Sequence, residues 1–252
     1  MNVTTADIAP TRWRLFATAT LVSGAVILFM LYGFREAVSL PLTLPALGAI
    51  GVTFLALAGV FRRTFTMATR TAGSQQLTVP TWITLGRGWA LVLFVGVVIL
   101  SPTNERLQWI AVGLFTLSAV ADMIDGAVAR YTETVSEWGG RLDTEVDALL
   151  VFVGTCAVVW LGRVPVAFLA VGLARYAFVA GCTLRRRRGL SVAPLVPSRF
   201  RKFTGGTIML TIWIALLPVV DPVVSRTLAW IVLGPILGHF CWDWLAVSGR
   251  LE

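Results

Sequence analysis

Four aspartates are spaced so that they could work on a single ligand. The segment Asp122-Met-Ile-Asp125-Gly126-Ala-Val-Ala129-Arg130 is followed by Gly139, Asp143 and Asp147, the last three at four-residue steps. A helix turns about 100° per residue, which puts Asp122, Asp125, Gly126 and Ala129 on one face. Gly139, Asp143 and Asp147 likewise share a face of the next helix. Two such helices joined by a short loop aim four carboxylates at one another. That arrangement is unfavourable alone, because two like charges ~4 Å apart repel by about 4 kcal/mol at an effective dielectric of ~20. Divalent cations remove the repulsion, and an all-carboxylate donor set favours the hard ions Mg²⁺ or Mn²⁺. Four carboxylates are enough for two such ions, a common device for phosphoryl transfer.

The neighbouring residues fit a phosphate-bearing ligand. Gly126 and Ala129 clear space for a ligand to approach the backbone, and the Arg130 guanidinium can pair with phosphate oxygens. A purely structural alternative makes the small residues helix-packing positions and Arg130 an end anchor whose charge reaches the membrane surface. Two further arginines, Arg87 and Arg175, fall inside apolar runs, where a charge needs a partner or a polar cavity. Their alternatives are snorkelling for Arg87 and internal pairing for Arg175.

The elements that must position these groups are membrane helices. Of the 252 residues 57% are hydrophobic and 13% charged, against about 25% charged in soluble domains; the mean hydropathy is +0.81. Apolar runs near 15–33, 40–61, 82–101, 107–129, 141–162, 164–184, 204–221 and 226–247 each suit a helical span. They are continuous rather than alternating, which excludes a β-barrel. Breaks fall at Pro41, Pro102-Thr103-Asn104, Gly162-Arg163 and Asp221-Pro222. Arg12 and Arg14 precede a first run that is too long for a signal sequence and lacks a cleavage site, so a retained span is expected. Residues 62–79 read as a polar linker. It divides a two-span N-terminal extension (1–78) from a six-span core (79–252). The expected fold is therefore an all-α integral membrane protein, a six-helix core plus two extra N-terminal transmembrane helices.

Charge placement sets the orientation. The net charge is +8, but its distribution speaks against nucleic acid as a partner. With a cytoplasmic N-terminus, fifteen basic residues fall on the cytoplasmic side and four on the other, leaving Arg87 and Arg175 within spans. This is the positive-inside bias, and it predicts a multi-pass cell-membrane protein with the aspartates and both termini cytoplasmic. Arg185 to Arg188 read as a lipid-headgroup anchor. Cys156, Cys182 and Cys241 lie in apolar runs without ligand spacing and read as small core residues. His239 likewise has no metal-ligand spacing, and Asp243 is placed to partner a membrane arginine.

The pattern D-x2-D-G-x2-A-R-x8-G-x3-D-x3-D, from Asp122 to Asp147, resembles the signature of the CDP-alcohol phosphotransferase family at every fixed position. The six-span unit is similar to that family's membrane fold, with the first two spans outside the resemblance. The resemblance implies that Asp122, Asp125 and Asp143 ligate metal, and that Asp147 is both ligand and the base for the acceptor hydroxyl. It implies that Gly126, Ala129, Arg130, Ser136 and Gly139 contact a CDP-linked lipid donor. Upstream, Pro80-Thr81-Trp82-Ile83-Thr84-Leu85-Gly86-Arg87 resembles the family's P-N-x-x-T-x-x-R opening, with threonine at Thr81 in place of asparagine. Thr84 and Arg87 would line the same nucleotide site. Arg175 and the Arg199, Arg201 and Lys202 element would hold the phosphate of a polar, phosphorylated acceptor alcohol.

The implied reaction is phospholipid biosynthesis, transferring a phosphatidyl-type group with release of CMP. The partners would be membrane lipids and, from the family pattern, a second copy in a homodimer. Three alternatives compete, one of them a catalytically silent membrane scaffold, which the four retained acids argue against. A soluble CDP-aminoalcohol could donate to diacylglycerol, although the basic pocket would repel a cationic head. The aspartates could instead form a cation-transport path. Transport sites usually lie near the membrane midplane on broken helices, whereas these acids flank a helix–loop–helix edge beside an arginine.

Overall fold

Caps and breakers set the helix ends. The computed structural model describes residues 44–72, 79–131, 137–193 and 199–249. They form seven α-helices: α1 (Leu44–Ala72), α2 (Val79–Leu100), α3 (Glu105–Tyr131), α4 (Glu137–Trp160), α5 (Leu169–Arg187), α6 (Arg199–Leu216) and α7 (Pro222–Val247). A 3₁₀ turn at Val166–Phe168 leads into α5, and no strand occurs among the described residues. At the Pro102 break, the Asn104 side-chain oxygen accepts the Arg106 and Leu107 amides at 3.1 and 3.3 Å, capping α3. Asp221 caps α7 by accepting the Val223 amide at 2.7 Å, with Pro222 opening the helix. After α4, Gly162 takes φ +66°. The Gly162 and Arg163 amides then reach back to the Val159 and Val158 carbonyls, each at 2.9 Å. Helix α6 stops at Leu216 because Leu217 precedes Pro218.

The helices expected from residue 82 onward are present, displaced by a few residues at their ends. The linker expectation is corrected in part: residues 62–72 continue α1 rather than forming a loop. Polar composition marks where the apolar stretch ends, not where a helix must stop. Between Gly59 and Gly73 there is no glycine or proline, and arginine, methionine and alanine favour helix. The first expected span and the Pro41 break lie outside the described residues.

The chain divides into two compact units, residues 1–103 with 116–147, and residues 104–115 with 148–252, so α3 and α4 each contribute to both. In the first unit α1 packs on α2 through a buried stripe of Ile50, Thr53, Leu57, Phe61 and Thr64. The three- and four-residue steps keep it on one helix face. Leu57 lies against Gly88, where a Cβ would come within 2.8 Å of its methyls, and Phe54 meets Trp89 with centroids 5.7 Å apart. In the second unit Gly154 packs between Phe115 and Ile212, and Gly181 packs against Trp244. Close approach at small residues is the usual way membrane helices associate, since lipid gives no hydrophobic drive between them.

Gly172 on α5 is the tightest of these approaches. A Cβ there would collide with the Thr155 hydroxyl and lie 3.1 Å from the Phe152 Cα, a backbone atom that cannot swing aside. Gly172→Val is therefore expected to destabilise the protein by about 1–3 kcal/mol. The check is a lowered thermal midpoint in detergent, with an unchanged midpoint for Gly234→Ala, where a Cβ meets nothing within 4 Å.

Two helical segments, Val166–Arg187 and Pro222–Val247, are long and apolar enough to cross a membrane; Gly86–Leu100 and Phe203–Leu216 are shorter apolar stretches. Large apolar side chains are exposed along them, including Val179, Leu184, Leu210, Val223, Trp230, Ile231 and Trp242. An apolar surface of this kind supports membrane association.

Candidate active site

An arginine inside an apolar helix dictates the geometry of the first unit. On α2 the buried face runs Thr84, Arg87, Leu91, Phe94 and Val98, so the guanidinium is carried among core side chains and Arg87 is 2% exposed. Buried this way it must find acceptors. Its Nε donates to the Ser118 carbonyl of α3 at 3.0 Å. Nη1 donates to Asp122 Oδ1 of α3 at 2.8 Å and to Asp143 Oδ1 of α4 at 2.6 Å. Nη2 donates to Asp147 Oδ1, also of α4. The rigid fork of N–H groups lets one side chain tie three helices together, which a lysine could not do in the same plane.

The carboxylates meet each other as well as the arginine. One oxygen from each of Asp122, Asp143 and Asp147 lies within 4.8 Å of the others. Each of these side chains is about a third exposed, at 36%, 34% and 34%, while Arg87 is enclosed. Among the described side chains, three carboxylates (−3) and one guanidinium (+1) leave a formal charge of −2. That is the charge of one divalent cation with the sign reversed. The donors are all oxygen, which suits a hard ion. These three carboxylates could hold a metal ion.

The remaining expected site residues fall in several places. Thr84 is buried one turn before Arg87, and Gly139 is half-buried in the first turn of α4. Asp125, Gly126, Ala129 and Arg130 follow Asp122 on α3; their side-chain positions lie outside the described set, as does Ser136 altogether. Arg175 is half-buried within α5, in the second unit, beside Tyr176, whose ring meets Phe152 edge-on at 5.6 Å. Arg199 and Lys202 stand in the first turn of α6 with side chains outside the described set.

Arg201 has a protein partner. Its guanidinium donates to both Asp243 oxygens of α7, at 3.1 and 3.2 Å, so the partner of Asp243 is an arginine of the basic segment expected on the cytoplasmic side rather than one expected within a span. His239 Nε2 lies 3.6 Å from the same carboxylate, and its ring packs edge-on against Phe200 at 4.9 Å.

Sequence reasoning missed the Ser118 carbonyl and the direct pairing of Arg87 with the aspartates. Charge balance was the available signal, since a buried cation and clustered anions must be compensated somewhere. The partners are 31 to 60 residues apart in the chain, and no local pattern announces such a meeting.

A family model described as CDP-alcohol phosphatidyltransferase matches residues 77–237. The chain is also 34% identical, over 120 residues, to proteins named "Putative cardiolipin synthase" from Mycobacterium bovis and from two strains of Mycobacterium tuberculosis. The aligned stretch covers 47% of this chain and 56% of each relative, so the chain spans about half the length of the curated relatives it matches.

Proposed function

This chain belongs to the CDP-alcohol phosphatidyltransferase family, and on that premise we propose that it transfers a phosphatidyl-type group from a CDP-linked lipid to the hydroxyl of a polar, phosphorylated alcohol, releasing CMP. The observation that carries this reading is the convergence of Asp122, Asp143 and Asp147 from two helices within 4.8 Å. In the proposed reaction the acceptor oxygen bonds to the lipid-bearing phosphorus as the bond from that phosphorus to CMP breaks. The acceptor proton passes to a carboxylate oxygen of Asp147, a general-base role. Asp122, Asp125, Asp143 and Asp147 would hold two divalent cations, which would supply charge neutralisation for the diphosphate and leaving group. Arg130, Gly126, Ala129, Ser136, Gly139 and Thr84 face the donor. Arg87 orders the carboxylates and offsets their repulsion. Arg175, Arg199, Arg201 and Lys202 are assigned to the acceptor phosphate.

The proposal extends to placement. The chain is read as multi-pass in the cell membrane, with the carboxylates and both termini cytoplasmic, supported by the fifteen-to-four distribution of basic residues. The division at 78/79 into a two-span extension and a six-span core is supported by the start of the family match at residue 77.

A second reading follows from the relatives' name. Cardiolipin carries two phosphatidyl groups on one glycerol, so making it from a CDP-lipid requires phosphatidylglycerol as the acceptor.

Purified protein with Mn²⁺ and CDP-diacylglycerol, offered glycerol phosphate, inositol phosphate or phosphatidylglycerol, tests both readings by mass spectrometry of the lipid product. One phosphorylated alcohol is expected to react at least about tenfold faster than the other acceptors. Cardiolipin as the main product selects the second reading. A parallel reaction is given diacylglycerol and a CDP-aminoalcohol, and product in that reaction alone would reverse the donor assignment.

A further inference from the structure

Within the second unit, the last turns of α7 take hold of the segment leading into α6 and of the start of α6 itself. His239, Asp243 and Val247 follow one another at four-residue steps and so share a face of α7. At the end of that face the Ala193 amide donates to the Val247 carbonyl at 3.2 Å. Arg185 of α5 adds to this, its Nη2 donating to the Ser191 and Ser248 carbonyls at 3.1 and 3.2 Å. At the first turn of α6 the Phe200 ring meets His239 edge-on. One residue later, Asp243 grips Arg201.

The grip occupies one edge of the guanidinium. Arg201 Nε donates to Asp243 Oδ2 and Nη2 donates to Oδ1. A guanidinium carries five N–H donors in one plane, and this pairing uses those on the Nε side. The outer edge, formed by Nη1 with the second N–H of Nη2, meets no acceptor among the described residues. Two parallel donors of that kind make the fork that binds a pair of phosphate oxygens. Exposure agrees with this division: the Arg201 side chain is 38% exposed and that of Asp243 12%. The carboxylate is the enclosed member of the pair and the arginine the open one. Arg87 is the contrast, since all three of its nitrogens are engaged.

We propose that Asp243 is a positioning residue for the acceptor site, fixing Arg201 so that its outer edge is presented to the phosphate of the acceptor alcohol. The proposal rests on the assignment of Arg201 to that phosphate. Two effects of the carboxylate oppose each other. Its charge repels an anion, whereas its hydrogen bonds order a long side chain whose freedom would otherwise be lost on binding. Repulsion is the weaker effect, because the two anions sit at different edges of the guanidinium and water screens charges on its exposed side. Ordering of the fork therefore governs affinity.

The test is equilibrium binding of radiolabelled glycerol phosphate and inositol phosphate to the full chain in neutral detergent, without CDP-lipid. At least one of the two is expected to bind saturably, and the tighter one is carried through the variants. Asp243→Asn is expected to weaken its binding about tenfold, although the substitution removes a negative charge from the cluster. Arg201→Lys keeps the positive charge but loses the fork, and is expected to weaken binding by a similar factor. Thermal unfolding of each variant is recorded alongside. A purely structural tether would lower the midpoint of Asp243→Asn and leave the affinity of the folded protein unchanged. A purely electrostatic role would tighten binding in Asp243→Asn and leave Arg201→Lys as the unaltered protein. Either result, or no saturable binding of either compound, would overturn the proposal. Weakened binding in both variants, with no lipid product from CDP-diacylglycerol, would refute the proposed reaction and leave the positioning role standing.

Discussion

Asp147→Asn is expected to lower CMP release from CDP-diacylglycerol by about 10³-fold or more while leaving the protein folded and inserted. The magnitude follows from the two roles proposed for this carboxylate. Loss of a positioned general base typically removes a factor of about 10² to 10⁴, and the same substitution weakens one ligand of the cation site. The fold should tolerate the change. Asparagine keeps the volume and one oxygen, and the Arg87 guanidinium retains Asp122 at 2.8 Å, Asp143 at 2.6 Å and the Ser118 carbonyl at 3.0 Å. Removing one negative charge also relaxes the repulsion among the three carboxylates. The measurement is CMP release by detergent-solubilised protein, paired with a thermal unfolding curve. Turnover close to wild type would remove Asp147 as the base. A collapse of the unfolding midpoint would instead assign the residue to holding α2 and α4 together.

The second large effect concerns Arg87 and links stability to metal. Arg87→Gln removes the guanidinium that offsets three carboxylates. Breaking a buried ion pair by deleting one partner destabilises by about 3–5 kcal/mol. The lower end applies here, because the aspartates are about a third exposed and water screens part of the repulsion. The formal charge of the site becomes one unit more negative, which strengthens the attraction for a divalent cation. Millimolar Mn²⁺ is therefore expected to raise the thermal midpoint of Arg87→Gln more than that of the unaltered protein, with both measured against chelator. An equal rise in the two proteins would mean that the guanidinium charge is not coupled to the cation site. A variant as stable as wild type in chelator would mean that the three hydrogen-bonded carboxylates do not depend on Arg87.

Much of the site could be read directly from residue spacing. Asp122, Asp143 and Asp147 stand at intervals that a helix converts into shared faces, and the structure brings these three together. The helix ends were legible for a related reason: Asn104, Gly162 and Asp221 act on backbone groups within a few residues of themselves, so local chemistry suffices. Local rules failed at residues 62–72. Composition registered the end of the apolar stretch, while the absence of glycine and proline let the helix run on to Ala72. They also failed for Arg87 and Asp243, whose burial demanded partners without specifying them.

Covalent order alone fixed the helical, apolar character of the chain and the clustering of acids on adjacent helices, because hydropathy and helical periodicity act over a few turns. Tertiary packing decided that Arg87 would close over those acids and that Asp243 would take Arg201. Those outcomes depend on which helix faces meet. Charge compensation in a low-dielectric core makes such meetings obligatory, and the residues that satisfy it are tens of positions apart.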